Sequence, residues 1–108
     1  MELSKLREMT IKRQKEWAGD VELSLSYRSN ELAGEVGELC NCIKKLERER
    51  MGMVGSRVSK ESIAQEIADV IITADLLASA LDIDLDKAVP DKFNYTSSKY
   101  GLKTKFEV

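Results

Sequence analysis

The sequence predicts an all-α protein, a helical bundle of about four helices completed by dimerisation. Apolar residues recur at helical spacing along four segments, and none of them alternates as a half-buried strand would. One proline and six glycines punctuate 108 residues, and six aromatic side chains (one Trp, three Tyr, two Phe) are few for a β-sandwich. The stretch from Ile63 to Leu81 is apolar almost all round, which suits the centre of a core. Four short helices bury such a member poorly in a monomer, so a second copy is expected to cover it.

The first helix runs roughly from Ser4 to Trp17, with Leu3, Leu6, Met9 and Ile11 as its apolar residues. Asp20 and Ser24 offer capping oxygens before a second helix, from about Leu25 to Arg50. The last third of that helix, Lys44 to Arg50, is too charged to be core and reads as exposed. Met51 to Arg57 carries two glycines and reads as a loop. The third helix starts at Ser59 or Ser62, since Ser62 and Gln65 have capping-box spacing, and reaches about Leu81. The fourth starts near Asp84 or Asp86 and runs towards Lys99, ending by Gly101. Pro90 would kink it if Asp84 is the cap and is nearly tolerated if Asp86 is. Residues 1–108 read as one domain, without repeat, low-complexity tract or linker.

Two acidic pairs stand out on these apolar helices: Glu35 with Glu38, and Glu66 with Asp69. Three-residue spacing puts both acids of a pair on one helical face. Glu66, Asp69 and Thr73 fall within about 60° of one another at 100° per residue. By the same arithmetic Glu31, Glu35, Glu38, Cys42 and Lys45 share a stripe of the second helix. Asp75, Ser79 and Asp82 form a separate polar stripe on the other side of the third. Antiparallel pairing of the two helices, at the usual 8–10 Å between axes, brings the acidic stripes face to face. Buried charge is costly unless it is compensated. A hard divalent cation, Mg²⁺ or Mn²⁺, is the simplest shared compensation for four carboxylates. A wet acidic face paired with Lys or Arg is the plain alternative.

The chain has no histidine, which removes the usual zinc, iron and imidazole-base chemistry. It also excludes a ferritin-like di-iron centre, which needs Glu-x-x-His pairs. A net charge of −2, from 17 basic and 19 acidic residues, offers no broad nucleic-acid footprint. Basic residues do crowd two regions, Lys44 to Lys60 and Lys92 to Lys105, which suits either a solvated surface or a small polyphosphate. Cys40 and Cys42 point to different faces of a helix, so reduced thiols are expected, Cys42 partly buried. No apolar run is long enough to span a membrane, and residues 1–5 do not read as a signal peptide. The expected compartment is the cytoplasm.

Asn30–Leu39 (NELAGEVGEL), Ile43–Arg50 (IKKLERER), Glu66–Val89 (EIADVIITADLLASALDIDLDKAV) and Lys92–Leu102 (KFNYTSSKYGL) together resemble the MazG-like nucleoside triphosphate pyrophosphohydrolases. These belong to the all-α NTP pyrophosphatase superfamily, with dimeric dUTPases, dCTP pyrophosphatases and phosphoribosyl-ATP pyrophosphohydrolase. The resemblance runs from about Arg13 to Phe106. It implies Mg²⁺-dependent hydrolysis of a (deoxy)nucleoside triphosphate to monophosphate and pyrophosphate, in nucleotide-pool sanitation. It assigns Glu35, Glu38, Glu66 and Asp69 as metal ligands, with Glu35 or Glu38 orienting or deprotonating the attacking water and Glu31 as a further contributor. It matches Lys92 and Asn94 to nucleotide-contacting residues, and it implies a homodimer or homotetramer whose sites draw on neighbouring subunits.

Chemistry adds three candidates. Lys45, about two turns beyond Glu38, could reach a β- or γ-phosphate. Trp17 and Tyr27 could stack the base, because the tryptophan that some dCTP-directed relatives place soon after the first acidic pair is replaced here by Lys44 and Lys45. A non-catalytic helical interaction or regulatory module of the same fold is the competing expectation.

Overall fold

The computed structural model describes residues 2–55 and 57–107; Met1, Ser56 of the expected loop and Val108 lie outside them. Four helices follow in order: α1 (Leu3–Ala18), α2 (Leu25–Arg50), α3 (Lys60–Ala80) and α4 (Leu85–Lys99). There is no strand among the described residues.

Local chemistry sets most of the boundaries. Ser24 caps α2 by accepting from the Tyr27 amide at 3.0 Å. Ser59, not Ser62, caps α3: its hydroxyl accepts from the Ser62 amide at 3.0 Å, and the two hydroxyls meet at 2.8 Å. Asp84 caps α4 through the Asp86 amide. Pro90 therefore lies inside the helix, where the missing N–H leaves the Asp86 carbonyl without its helical partner. Both α3 and α4 end in the same closed turn. Ile83 donates to the Ala78 carbonyl and Asp82 to that of Ser79; Leu102 donates to Ser97 and Gly101 to Ser98. Gly101 meets the left-handed turn (φ 66°) without cost, whereas Asp82 adopts it (φ 55°) as a non-glycine residue.

The end of α2 is less exposed than its charge suggests. Arg48 and Glu49 are half-buried, and the Glu49 carboxylate accepts from the Val58 amide, tying the loop back to the helix. That contact starts the antiparallel pairing of α2 and α3, the main packing of the chain. α1 lies along α3, and α4 reaches α1.

The α1–α3 contact is polar at its heart. Asp75 on α3 is the most buried side chain among the described residues, 1% exposed. Its carboxylate accepts from Arg7 Nε at 3.1 Å and Thr10 Oγ1 at 2.8 Å. Arg7 also donates to the Ile83 carbonyl at 2.8 Å. Asp75 thus leaves the separate stripe expected with Ser79 and Asp82 and anchors a neighbouring helix. α1 has no side-chain cap of its own. Asp86 supplies one from α4, accepting from the Leu3 and Ser4 amides at 3.2 and 2.9 Å.

A single chain leaves its apolar surface half covered. Ala78 is the one apolar side chain fully buried among the described residues, while Ile67 and Ile71 on α3 are 45% and 46% exposed. The helix expected at the centre of a core therefore has one face open. The radius of gyration is 17.2 Å, against about 13 Å for a compact domain of this length.

Candidate metal centre

The α2–α3 pairing brings the two acidic pairs together. Glu35, Glu38 and Glu66 each place a carboxylate oxygen within 4.8 Å of the other two. Asp69 stands beside them, lining a cleft with Glu35. Glu35 Oε2 and Glu66 Oε2 are sealed from solvent without a hydrogen-bond partner among the described residues. Thr73, buried one turn on, directs its hydroxyl to the Asp69 and Val70 carbonyls, so it helps shape the wall rather than satisfying the acids.

Electrostatics record the strain. Burial first, then the charges of Glu38, Asp69 and Glu66, hold the Glu35 carboxyl above its ordinary range. Burial, then Glu38 and Asp69, do the same to Glu66. Two orphaned oxygens in an all-carboxylate donor set fit a hard, oxygen-seeking divalent cation such as Mg²⁺ or Mn²⁺.

A pH dependence follows from the raised values. The folded chain binds protons at Glu35 and Glu66 more tightly than the unfolded chain. Their contribution to stability is therefore full below the ordinary carboxylate pKa and is lost as pH rises through the raised one. A cation that replaces those protons should raise the melting temperature markedly near neutral pH and little near about pH 5. Thermal melts with and without Mn²⁺ at the two pH values measure the difference; equal increments would argue against carboxylate binding.

Glu35 and Asp69 border a cleft of about 330 Å³ between α1, α2 and α3. Trp17 and Tyr27 line it with Glu31, Glu35 and Asp69. Neither aromatic is buried: Trp17 is 82% exposed and Tyr27 52%. Arg13 lines the cleft too, and sequence reasoning missed it. The signal was present: Thr10, Arg13 and Trp17 recur at helical spacing on one face of α1. Glu31 reaches the cleft while paired with Arg28 at 3.1 Å.

Other candidates lie elsewhere in the chain. Lys45 is half-buried farther along α2 and does not line the cleft. Lys92 and Asn94 sit on α4, also outside it. Lys92 stacks its ammonium over Tyr95, 5.0 Å from the ring centre. Asn94 grips the C-terminal segment, donating to the Phe106 carbonyl at 2.8 Å and accepting from its amide at 2.7 Å. Cys40 and Cys42 are free thiols, the first exposed and the second half-buried.

The sequence model of the MazG-like family matches residues 35–108, a segment that starts at the first metal-ligand candidate and takes in all four. The chain belongs to the MazG-like family. A phage relative, the Gene 37 protein of Mycobacterium phage L5, is 31% identical over 84 residues, spanning 76% of this chain and 73% of its own. No solved structure matches the chain. In this MazG-like protein the matched segment supplies the whole acidic cluster, α3 and α4. The opposite wall of the cleft, with Arg13, Trp17 and Tyr27, comes from α1 and the first turns of α2, ahead of the match. Among the described residues, no helix is long and apolar enough to cross a membrane.

Proposed function

We propose that this MazG-like chain hydrolyses a (deoxy)nucleoside triphosphate to the monophosphate and pyrophosphate, with Mg²⁺ or Mn²⁺ held by Glu35, Glu38, Glu66 and Asp69. The observation that carries the reading is the orphaned carboxylate cluster at the edge of an aromatic cleft. When bound, such a cation neutralises phosphate charge and makes water more acidic. Glu35 or Glu38 takes the proton as water oxygen attacks the α-phosphorus and the bond to the β-phosphate oxygen breaks, releasing pyrophosphate. Trp17 and Tyr27 offer ring faces to the base, and Arg13 offers charge to the phosphates.

Lys45, Lys92 and Asn94 enter this reading as further substrate contacts. The two α4 residues would serve a neighbouring subunit's site, which agrees with the open apolar face of α3. The assembly is a homodimer or a multiple of it, expected to persist at micromolar concentration in sedimentation. A fully helical monomer there would overturn it. Pyrophosphate release from a panel of (d)NTPs with Mg²⁺ or Mn²⁺ tests the activity, and metal binding without turnover of any nucleotide would favour a non-catalytic binding role.

A further inference from the structure

A second cavity, of about 530 Å³, adjoins the cleft and shares Thr10, Gln14, Leu23 and Leu76 with it. Arg28 forms part of its wall and is only 6% exposed. The guanidinium is occupied at one nitrogen: Nη1 donates to Glu31 at 3.1 Å. Nε and Nη2 have no protein acceptor among the described residues, and neither is sealed from open space. Those two nitrogens form the side-on fork of arginine, two N–H groups aimed the same way and spaced for two adjacent in-plane acceptors.

The surroundings say which acceptors fit. The lining is mixed: Ile11, Leu25 and Ala80 join the shared leucines, Ser24 and Ser79 join Thr10 and Gln14, Glu22 stands there as an acid, and Arg28 is the one cation among the described residues. Glu31 already offsets the charge of Arg28. A polyphosphate would find little compensating charge in this cavity; a flat, uncharged heterocycle needs none. Arg28 precedes Glu35 by seven residues on one helix, about 10.5 Å. A sugar and base bridge such a gap when the α-phosphate lies at the acids.

We infer that Arg28 reads the base of the substrate and that the base is guanine. Guanine presents O6 and N7 as adjacent acceptors matching the fork. Adenine sets an amino donor where O6 would be, and thymine lacks the second acceptor; cytosine could meet the fork with O2 and N3, but it has one amino donor for Glu22 where guanine has N1–H and its 2-amino group. The inference deepens the proposed hydrolysis and rests on that reading: the acids of the cleft hold the phosphates and the base reaches the adjoining cavity.

Two measurements separate this inference from that of hydrolysis. One is kcat/KM for dGTP, dATP, dCTP, dTTP and 7-deaza-dGTP, which lacks the N7 acceptor. The other is binding of dGMP and dAMP with Mg²⁺ present, followed by the fluorescence of Trp17, the only tryptophan. The expected result is a preference for guanine of about tenfold or more in both, lost with 7-deaza-dGTP and in Arg28→Lys, which keeps the charge but not the fork. Turnover with no base preference, or with 7-deaza-dGTP as good as dGTP, overturns the inference and leaves hydrolysis standing. Guanine-selective binding without turnover does the reverse. An equal fall in kcat for every base in Arg28→Lys assigns Arg28 to holding Glu31 and overturns the base-reading role.

Discussion

Glu38→Gln and Asp69→Asn, singly, are expected to lower metal-dependent pyrophosphate release by more than about a hundredfold, and together to abolish it. Groups that merely support metal ligands cost about 10- to 100-fold when changed, so loss of a direct ligand should exceed that range. Each change keeps the shape of the side chain and removes one negative charge from a site where three carboxylate oxygens lie within 4.8 Å of one another and a fourth acid stands alongside. Removing charge relieves repulsion in the metal-free state. Both variants should therefore melt at or above the wild-type temperature without metal while losing the increment that Mn²⁺ gives. That opposite movement of stability and activity marks a ligand set; a parallel loss of both would mark a structural cluster. Activity retained in the double variant would remove the acids from the chemistry.

Asp75→Ala is expected to cost about 3 kcal/mol of folding stability, read as a lower urea midpoint with an unchanged slope. The carboxylate is 1% exposed and holds Arg7 and Thr10. Its loss leaves Arg7 with only the Ile83 carbonyl and Thr10 with only the carbonyl of Arg7. Arg7 keeps some contact with water, its side chain being 20% exposed, which places the cost at the lower end for a broken buried pair. Asp75→Asn retains an acceptor and should cost clearly less. Protein concentration must be equal in all arms, since assembly shifts apparent stability. A midpoint unmoved by Asp75→Ala would remove the network from the account of how α1 docks.

Helices and acidic pairs were legible in the sequence because their causes are local. Ser24, Ser59 and Asp84 each act within three residues, and the pairing of Glu35 and Glu38 with Glu66 and Asp69 follows from helical periodicity plus one antiparallel turn. Asp75 was not legible. Its helical phase sets it apart from the acidic stripe, and its partners lie 65 and 68 residues away in sequence. The choice between Asp84 and Asp86 was hidden for a similar reason: Asp86 is a capping residue, but of a helix 82 residues earlier. Arg28 offered no signal at all. A lone arginine in the first turns of α2 reads as solvated, and only the tertiary structure shows it enclosed in a cavity wall with two of its donors lacking a protein acceptor among the described residues. The open face of α3 shows the opposite limit, since apolar periodicity says that a face must be covered but not that the cover lies outside the chain.

Because Asp86 holds the Leu3 and Ser4 amides, the start of α1 has its final position only once α4 has begun. On a ribosome, α1 would emerge before the other three helices yet settle after α2 and α3, waiting for Asp75 and then Asp86 to leave the exit tunnel. The wall bearing Trp17 is therefore assembled late, after α2 and α3 can already have paired and gathered their carboxylates. A nascent chain stopped before Asp75 would carry all four acids without the anchor that docks the wall bearing Trp17.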